Sequence, residues 1–126
     1  MYLQKRLLIL LAGLGVFLIP AVITAEEPWG EMRAEPNPCR IEPGREECTT
    51  HIIWHTRGVE RAKVFVTSVG RKEEKEHLFS TERSCEGDRC RAPWISHHTN
   101  YTFQLFDFTR GDRGKLLASI TVKGEQ

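Results

Sequence analysis

Tyr101-Thr102-Phe103-Gln104-Leu105-Phe106-Asp107-Phe108, followed beyond the turn at Gly111–Gly114 by Leu116-Leu117-Ala118-Ser119-Ile120-Thr121-Val122, decides the fold class. Successive side chains of an extended strand point to opposite faces. In the first stretch Tyr101, Phe103 and Leu105 therefore share one strongly apolar face, with Thr102 and Gln104 on the other. In the second, Leu116, Ala118, Ile120 and Val122 alternate with Leu117, Ser119, Thr121 and Lys123. Two period-2 runs joined by a glycine-bearing break predict an antiparallel hairpin.

Working outward from that hairpin, no helical periodicity appears; short extended runs alternate with turn-rich breaks. Met32 and Ala34 lie in a first strand that Pro36-Asn37-Pro38 ends, since proline supplies no amide to a ladder. Residues 40–47, with Pro43-Gly44, read as a turn. The second strand runs from Thr49 to Thr56, with Thr50, Ile52 and Trp54 on one face and His51, Ile53 and His55 on the other. The third runs from Ala62 to Val69, with Val64 and Val66 inward and Phe65 partly exposed. A fourth, from Glu76 to Thr81, carries Leu78 and Phe79. Cys85-Glu86-Gly87-Asp88-Arg89-Cys90 reads as a clamped hairpin tip, and Ala92-Pro93-Trp94-Ile95 opens the next strand. Seven strands with one apolar face each need two sheets to bury those faces, so the expectation is an all-β, seven-stranded antiparallel sandwich. Its predicted core is Trp54, Val64, Val66, Trp94, Tyr101, Phe103, Leu105, Ile120 and Val122.

The first 25 residues differ in kind. Lys5 and Arg6 precede an apolar run from Leu7 to Ile23 broken only by Pro20, and Ile23-Thr24-Ala25 offers a cleavage site before Glu26-Glu27. That is the order of a secretory signal peptide, although a run of this length also suffices for an uncleaved anchor. Membrane contact is expected only if residues 7–23 stay attached. Residues 26–30 read as a short lead-in and residues 31–124 as the domain. Without Lys5 and Arg6, the 18 basic residues fall to 16 against 17 acidic ones, a net charge of −1. Mixed, near-neutral charge gives no nucleic-acid footprint. The run Arg71-Lys72-Glu73-Glu74-Lys75-Glu76 reads as a solvated turn. Four cysteines in a short exported chain imply disulfides, with three connectivities open; short local loops favour Cys39–Cys48 and Cys85–Cys90.

Pro36-Asn37-Pro38-Cys39, Cys48 and Ile53-Trp54-His55-Thr56 resemble the opening of immunoglobulin-like or fibronectin type III-like modules of bacterial exported proteins. Val64-Phe65-Val66, Leu78-Phe79, Ala92-Pro93-Trp94-Ile95, Tyr101 to Leu105 and Leu116 to Ser119 continue the resemblance in order, over residues 31–124. It implies a seven-stranded sandwich in which Tyr101, near the start of the sixth strand, bonds back to nearby backbone. Trp54 stands on the second strand, as is usual in fibronectin type III domains. Cys85 and Cys90 look like an addition to the pattern, and His97-His98 stands where a glycine-bearing turn belongs.

Function is far less legible. Ser96 precedes His97, but no nucleophile elbow, paired carboxylate, C-x-x-C or phosphate-cradling loop accompanies it, so an enzyme is not expected. Nothing asks for a cofactor. His51, His55, His97 and His98 do not promise three converging ligands, so metal binding is not expected either. Arg110-Gly111-Asp112 is the integrin-recognition tripeptide, in a turn where glycine, arginine and aspartate are also ordinary. The candidate binding loops are therefore His97, His98, Arg110, Gly111 and Asp112, with the Cys85–Cys90 tip. The leading expectation is a non-catalytic exported module with a protein partner, at the cell surface or in the periplasm. The alternative is a carbohydrate-binding accessory domain using Trp29, Phe65, Trp94 and Phe108, and edge-strand self-association is a third option.

Overall fold

The computed structural model describes residues 26–69 and 74–126. Residues 1–25, read above as a signal segment, and Arg71, Lys72 and Glu73 of the charged run lie outside the described residues. The chain is all-β, with eight strands in the described part: β1 (Trp29–Glu35), β2 (Cys39–Arg40), β3 (Glu47–Arg57), β4 (Ala62–Val69), β5 (Lys75–Ser80), β6 (Arg91–Ser96), β7 (Asn100–Asp107) and β8 (Leu116–Glu125). They form a three-stranded sheet, β1-β3-β6, and a five-stranded sheet, β2-β8-β7-β4-β5. One core holds inward residues of both, including Ile52, Trp54 and Ile95 from the first and Val64, Phe103, Leu105 and Val122 from the second.

β4 has the predicted bounds, and the β7–β8 hairpin is antiparallel as its alternation requires, pairing Phe103 with Ile120 and Tyr101 with Val122. Thr50, Ile52 and Trp54 all face the core without exposure. Of the nine predicted core residues, Trp54, Val64, Val66, Tyr101, Phe103, Leu105 and Val122 are buried. Trp94 and Ile120 are only half-buried and pack against the core from its margin. The lead-in is shorter than predicted, because Trp29 and Gly30 already pair with Arg57 and Thr56 in β1; at the other end β8 runs to Glu125.

Three local expectations change. The segment read as a turn from residue 40 begins with β2, whose Cys39 and Arg40 pair in parallel with Gly124 and Glu125 of β8. The first strand thus leaves the three-stranded sheet at Pro36–Pro38 and resumes in the other sheet. Counted as one interrupted edge strand, β1 and β2 leave seven, but not all pairings are antiparallel. The crossing is held by Thr50 Oγ1 donating to Pro36 O at 2.6 Å and Asn37 Nδ2 donating to Thr121 O at 2.9 Å. In β8 the alternation slips: a bulge sets Phe106 opposite Leu116, so Leu116 is exposed while Leu117 turns toward the core. Cys85-to-Cys90 is not a free hairpin tip. Cys85 bridges to Trp54, with backbone N–H···O bonds of 2.9 and 3.1 Å in both directions, on the edge of β3 that β6 also uses.

Both favoured disulfides are formed, Cys39–Cys48 and Cys85–Cys90, each with 6.0 Å between Cα atoms. The first does more than close a loop, because β2 and β3 belong to different sheets and the bridge ties them together. Both pairs fit an oxidising compartment. No helix among the described residues is long and apolar enough to cross a membrane.

The two ends of the sandwich are distinct. At one end lie the first described residues, the 58–61 turn and the loop between β7 and β8. A Cβ on Gly58 would meet Glu27 O at 2.7 Å, and Phe108 N–H donates to Arg61 O at 2.8 Å. At the other end lie the β1–β2 crossing, the 97–98 turn and the C-terminal residues, with Ile41 N–H donating to Glu125 O at 2.6 Å.

Candidate binding cleft

Each sheet of an open sandwich ends in a strand with one unpaired edge. On one side of this molecule those strands are β5 and β6, which belong to opposite sheets. They do not close on each other, and a cleft of about 530 Å³ opens between them. Its floor is aromatic. Phe79 of β5, Trp94 of β6 and Tyr101 of β7 line it together with Val66. Phe79 packs edge-on against Phe103 at 5.1 Å and Trp94 at 6.3 Å, and Trp94 lies 5.3 Å from Tyr101 with a tilt of 59°. These contacts fix the rings, since aromatic pairs in such arrangements favour offset or edge-to-face geometry.

The rim carries two arginines. Arg89, Arg91 and His77 line the mouth, and among the described residues no carboxylate does. Arg89 is partly neutralised by Glu82, at 3.5 Å. The Arg91 guanidinium makes no hydrogen bond or ion pair among the described residues. The Cys85–Cys90 loop explains the placement: its disulfide is buried in the core, with Cys90 fully enclosed, which leaves Arg89, in the 3-10 turn Asp88–Cys90, and Arg91, at the start of β6, exposed on either side of it. Beside the mouth Leu78 is 52% exposed, the most exposed of the large apolar side chains among the described residues.

The structure distributes the sequence-predicted loop residues differently from a single binding end. His97-His98 and Arg110-Gly111-Asp112 flank β7 at its two ends, so they do not converge. His98 takes φ 67°, the left-handed conformation that a glycine-bearing turn would supply. Its ring centroid lies 3.7 Å from that of His97. Arg110, Gly111 and Asp112 are exposed, with Gly111 at φ 90°. Their loop stands on a braced base. Asp107 Oδ1 accepts from Thr109 N–H at 2.9 Å and Thr109 Oγ1 at 2.6 Å, and Gly111 N–H donates to Phe108 O at 2.9 Å.

Arg113 completes that base. Its guanidinium lies 4.4 Å from the Phe65 ring centroid and 4.5 Å from that of Phe106, and both Nη atoms donate to the Glu76 carboxylate. The Glu76 hydrogen bond raises the Arg113 pKa above its ordinary value, as the Glu35 hydrogen bond does for Arg33. Phe65 and Phe108 are 5.8 Å apart, and Lys63 Nζ covers Phe108 at 4.6 Å. Two of the four aromatics considered for sugar stacking are therefore already capped by cations on the outer face of the five-stranded sheet. Trp29 lies at the start of β1 under Arg57, at 4.3 Å, and Trp94 faces into the cleft, so the four form no common platform.

His51 and His55 project from the outer face of β3 as predicted, half-buried, with Ile53 buried between them. Each faces one carboxylate of the disulfide loop: His51 Nε2 lies 3.9 Å from Asp88, and His55 Nε2 lies 3.9 Å from Glu86. Among the described residues no group of three potential metal ligands converges.

Sequence reasoning missed the cleft because its walls come from strands in different sheets. The alternation of Arg89 and Arg91 about Cys90, shortly before Trp94, was the one local signal pointing to it. Comparison with protein-family models, with curated proteins and with solved structures finds no match to this chain.

Proposed function

We propose that this chain is an exported, non-catalytic module of immunoglobulin-like or fibronectin type III-like architecture that acts through protein–protein contacts, at the cell surface or in the periplasm. Several features support the architecture. The sheets are ordered β1-β3-β6 and β2-β8-β7-β4-β5, with the first strand switching between them. The Tyr101 hydroxyl accepts from Ser96 N–H at 3.2 Å and donates toward Trp94 O at 3.4 Å, the backward bond that such sandwiches use at this position. Trp54 is fully buried on the second long strand.

The observation that carries the binding reading is the open β5–β6 side: an aromatic-floored cleft beside an unpaired strand edge and an exposed Leu78. A concave apolar site with a few convergent polar groups is the default place to look for a binding contact. A carbohydrate platform is less well supported, since the rings that could stack are tilted, half-buried or capped.

Site-specific photo-crosslinking in producing cells tests the reading. A photoreactive residue is placed in turn at Leu78, Arg110 and Glu46, three exposed positions on different faces. Discrete protein adducts from at least one position are expected. Their absence from all three, in folded exported protein, would sink the module reading.

A further inference from the structure

We propose that the β5–β6 cleft receives an acidic, extended segment of a partner protein, which adds as a further strand to the free edge of β5. The inference rests on the reading of the chain as a protein-binding module and names the site and the chemistry of its partner.

The first argument is the edge. β5 pairs with β4 on one side only and is the last strand of its sheet among the described residues. The outward backbone groups of residues 76–80 are therefore a ready template for a strand that brings its own donors and acceptors. Residues 76–80 of β5 suffice for an added segment spanning about 17 Å.

The second argument is what lies beside that edge. A strand added to β5 enters the mouth of the cleft, and alternate side chains point inward. An inward apolar side chain meets Phe79, Trp94 and Val66; the neighbouring mouth carries Arg89, Arg91 and His77 with no lining carboxylate. Main-chain pairing supplies affinity without sequence preference, whereas the aromatic floor and cationic rim select an alternation of apolar and acidic residues.

The same features disfavour the other occupants. A sugar needs an exposed ring face, but Trp94 is half-buried and stands at 76° to Phe79 and 59° to Tyr101. A second copy paired β5 to β5 would bring two arginine-bearing rims together, and the only carboxylate within β5, Glu76, is already held by Arg113.

The test uses the exported protein purified from producing cells. Fluorescence anisotropy is measured with a labelled peptide of alternating glutamate and valine, and with its lysine–valine counterpart. Hydrogen exchange is followed on the backbone amides of residues 75–80, and polygalacturonate serves as an anionic glycan. The expected result is saturable binding of the glutamate peptide alone, with slowed exchange in β5. Arg91→Glu, at an exposed position outside the core, should weaken binding about tenfold or more while leaving the unfolding midpoint unchanged.

The proposal is overturned by no saturable binding up to about 1 mM peptide, by equal binding of the lysine peptide, or by indifference to Arg91→Glu. It is equally overturned if polygalacturonate binds where the peptide does not, or if β5 protection accompanies dimerisation in sedimentation rather than peptide addition. Photo-adducts from Arg110 or Glu46 but none from Leu78 would overturn the cleft assignment while leaving the module reading standing.

Discussion

Replacing Tyr101 by phenylalanine should destabilise the domain by about 2 kcal/mol, although the phenol oxygen is the only atom lost. The ring is buried and keeps its packing against Trp94 at 5.3 Å. What disappears is the acceptor for Ser96 N–H at 3.2 Å and the partner of Ser96 Oγ at 2.8 Å; the bond toward Trp94 O, at 3.4 Å, is long and adds little. A typical hydrogen bond contributes about 0.5–1.5 kcal/mol net, and a part-buried donor left without a partner costs about 1–3 kcal/mol. Urea unfolding followed by tryptophan fluorescence reads the change as a lower midpoint at unchanged slope. In a domain of this size the melting temperature should fall by on the order of 10 °C. Ser96→Ala removes the hydroxyl bond and spares the backbone one, so it should cost less. Combined with Tyr101→Phe it should show a coupling above about 0.5 kcal/mol. A loss under about 0.5 kcal/mol for Tyr101→Phe would refute the idea that this hydroxyl anchors the chain between β6 and β7.

Two further substitutions probe the β1–β2 crossing. Gly124→Ala should cost about 1–3 kcal/mol by overpacking, because the added Cβ would stand 2.8 Å from Ser96 O and 3.1 Å from Ile41 Cδ1; a midpoint indistinguishable from that of the parent would show that β8 gives way without strain. Replacing Cys39 and Cys48 together by alanine should cost about 2–4 kcal/mol in guanidinium unfolding, from loop-closure entropy over a separation of 9 residues. A cost under about 1 kcal/mol would mean that the prolines and hydrogen bonds hold the crossing unaided.

Sequence legibility followed the length of the pattern. β4 and the β7–β8 pair span at least eight residues each, long enough for alternation to declare both the strand and its inner face. The two faces of β3 were equally readable. β2 has two residues and therefore no period; its position depends on the proline pair before it and on Cys39, which sequence spacing could pair with Cys48 but could not place in a sheet. The Leu116–Leu117 exchange was hidden because a bulge shifts alternation by one residue without altering composition. Trp94 combined a core-like sequence with a marginal position, since a strand at a sheet edge has no neighbour to cover it on one side. The cleft itself had no linear signature: Val66, Phe79, Trp94 and Tyr101 are brought together by sheet order, which single-strand patterns do not specify.

The packing of Glu27 against Gly58 at one end, and of Ile41 against Glu125 at the other, gives the molecule a head and a tail. β7 alone spans about 27 Å between the two ends. Whatever holds residue 26 is thus kept roughly a strand's length from whatever is joined to residue 126. A partner gripping the Glu27–Gly58 end and another gripping the Ile41–Glu125 end would be held apart at a fixed spacing, with the β5–β6 cleft on the flank between them.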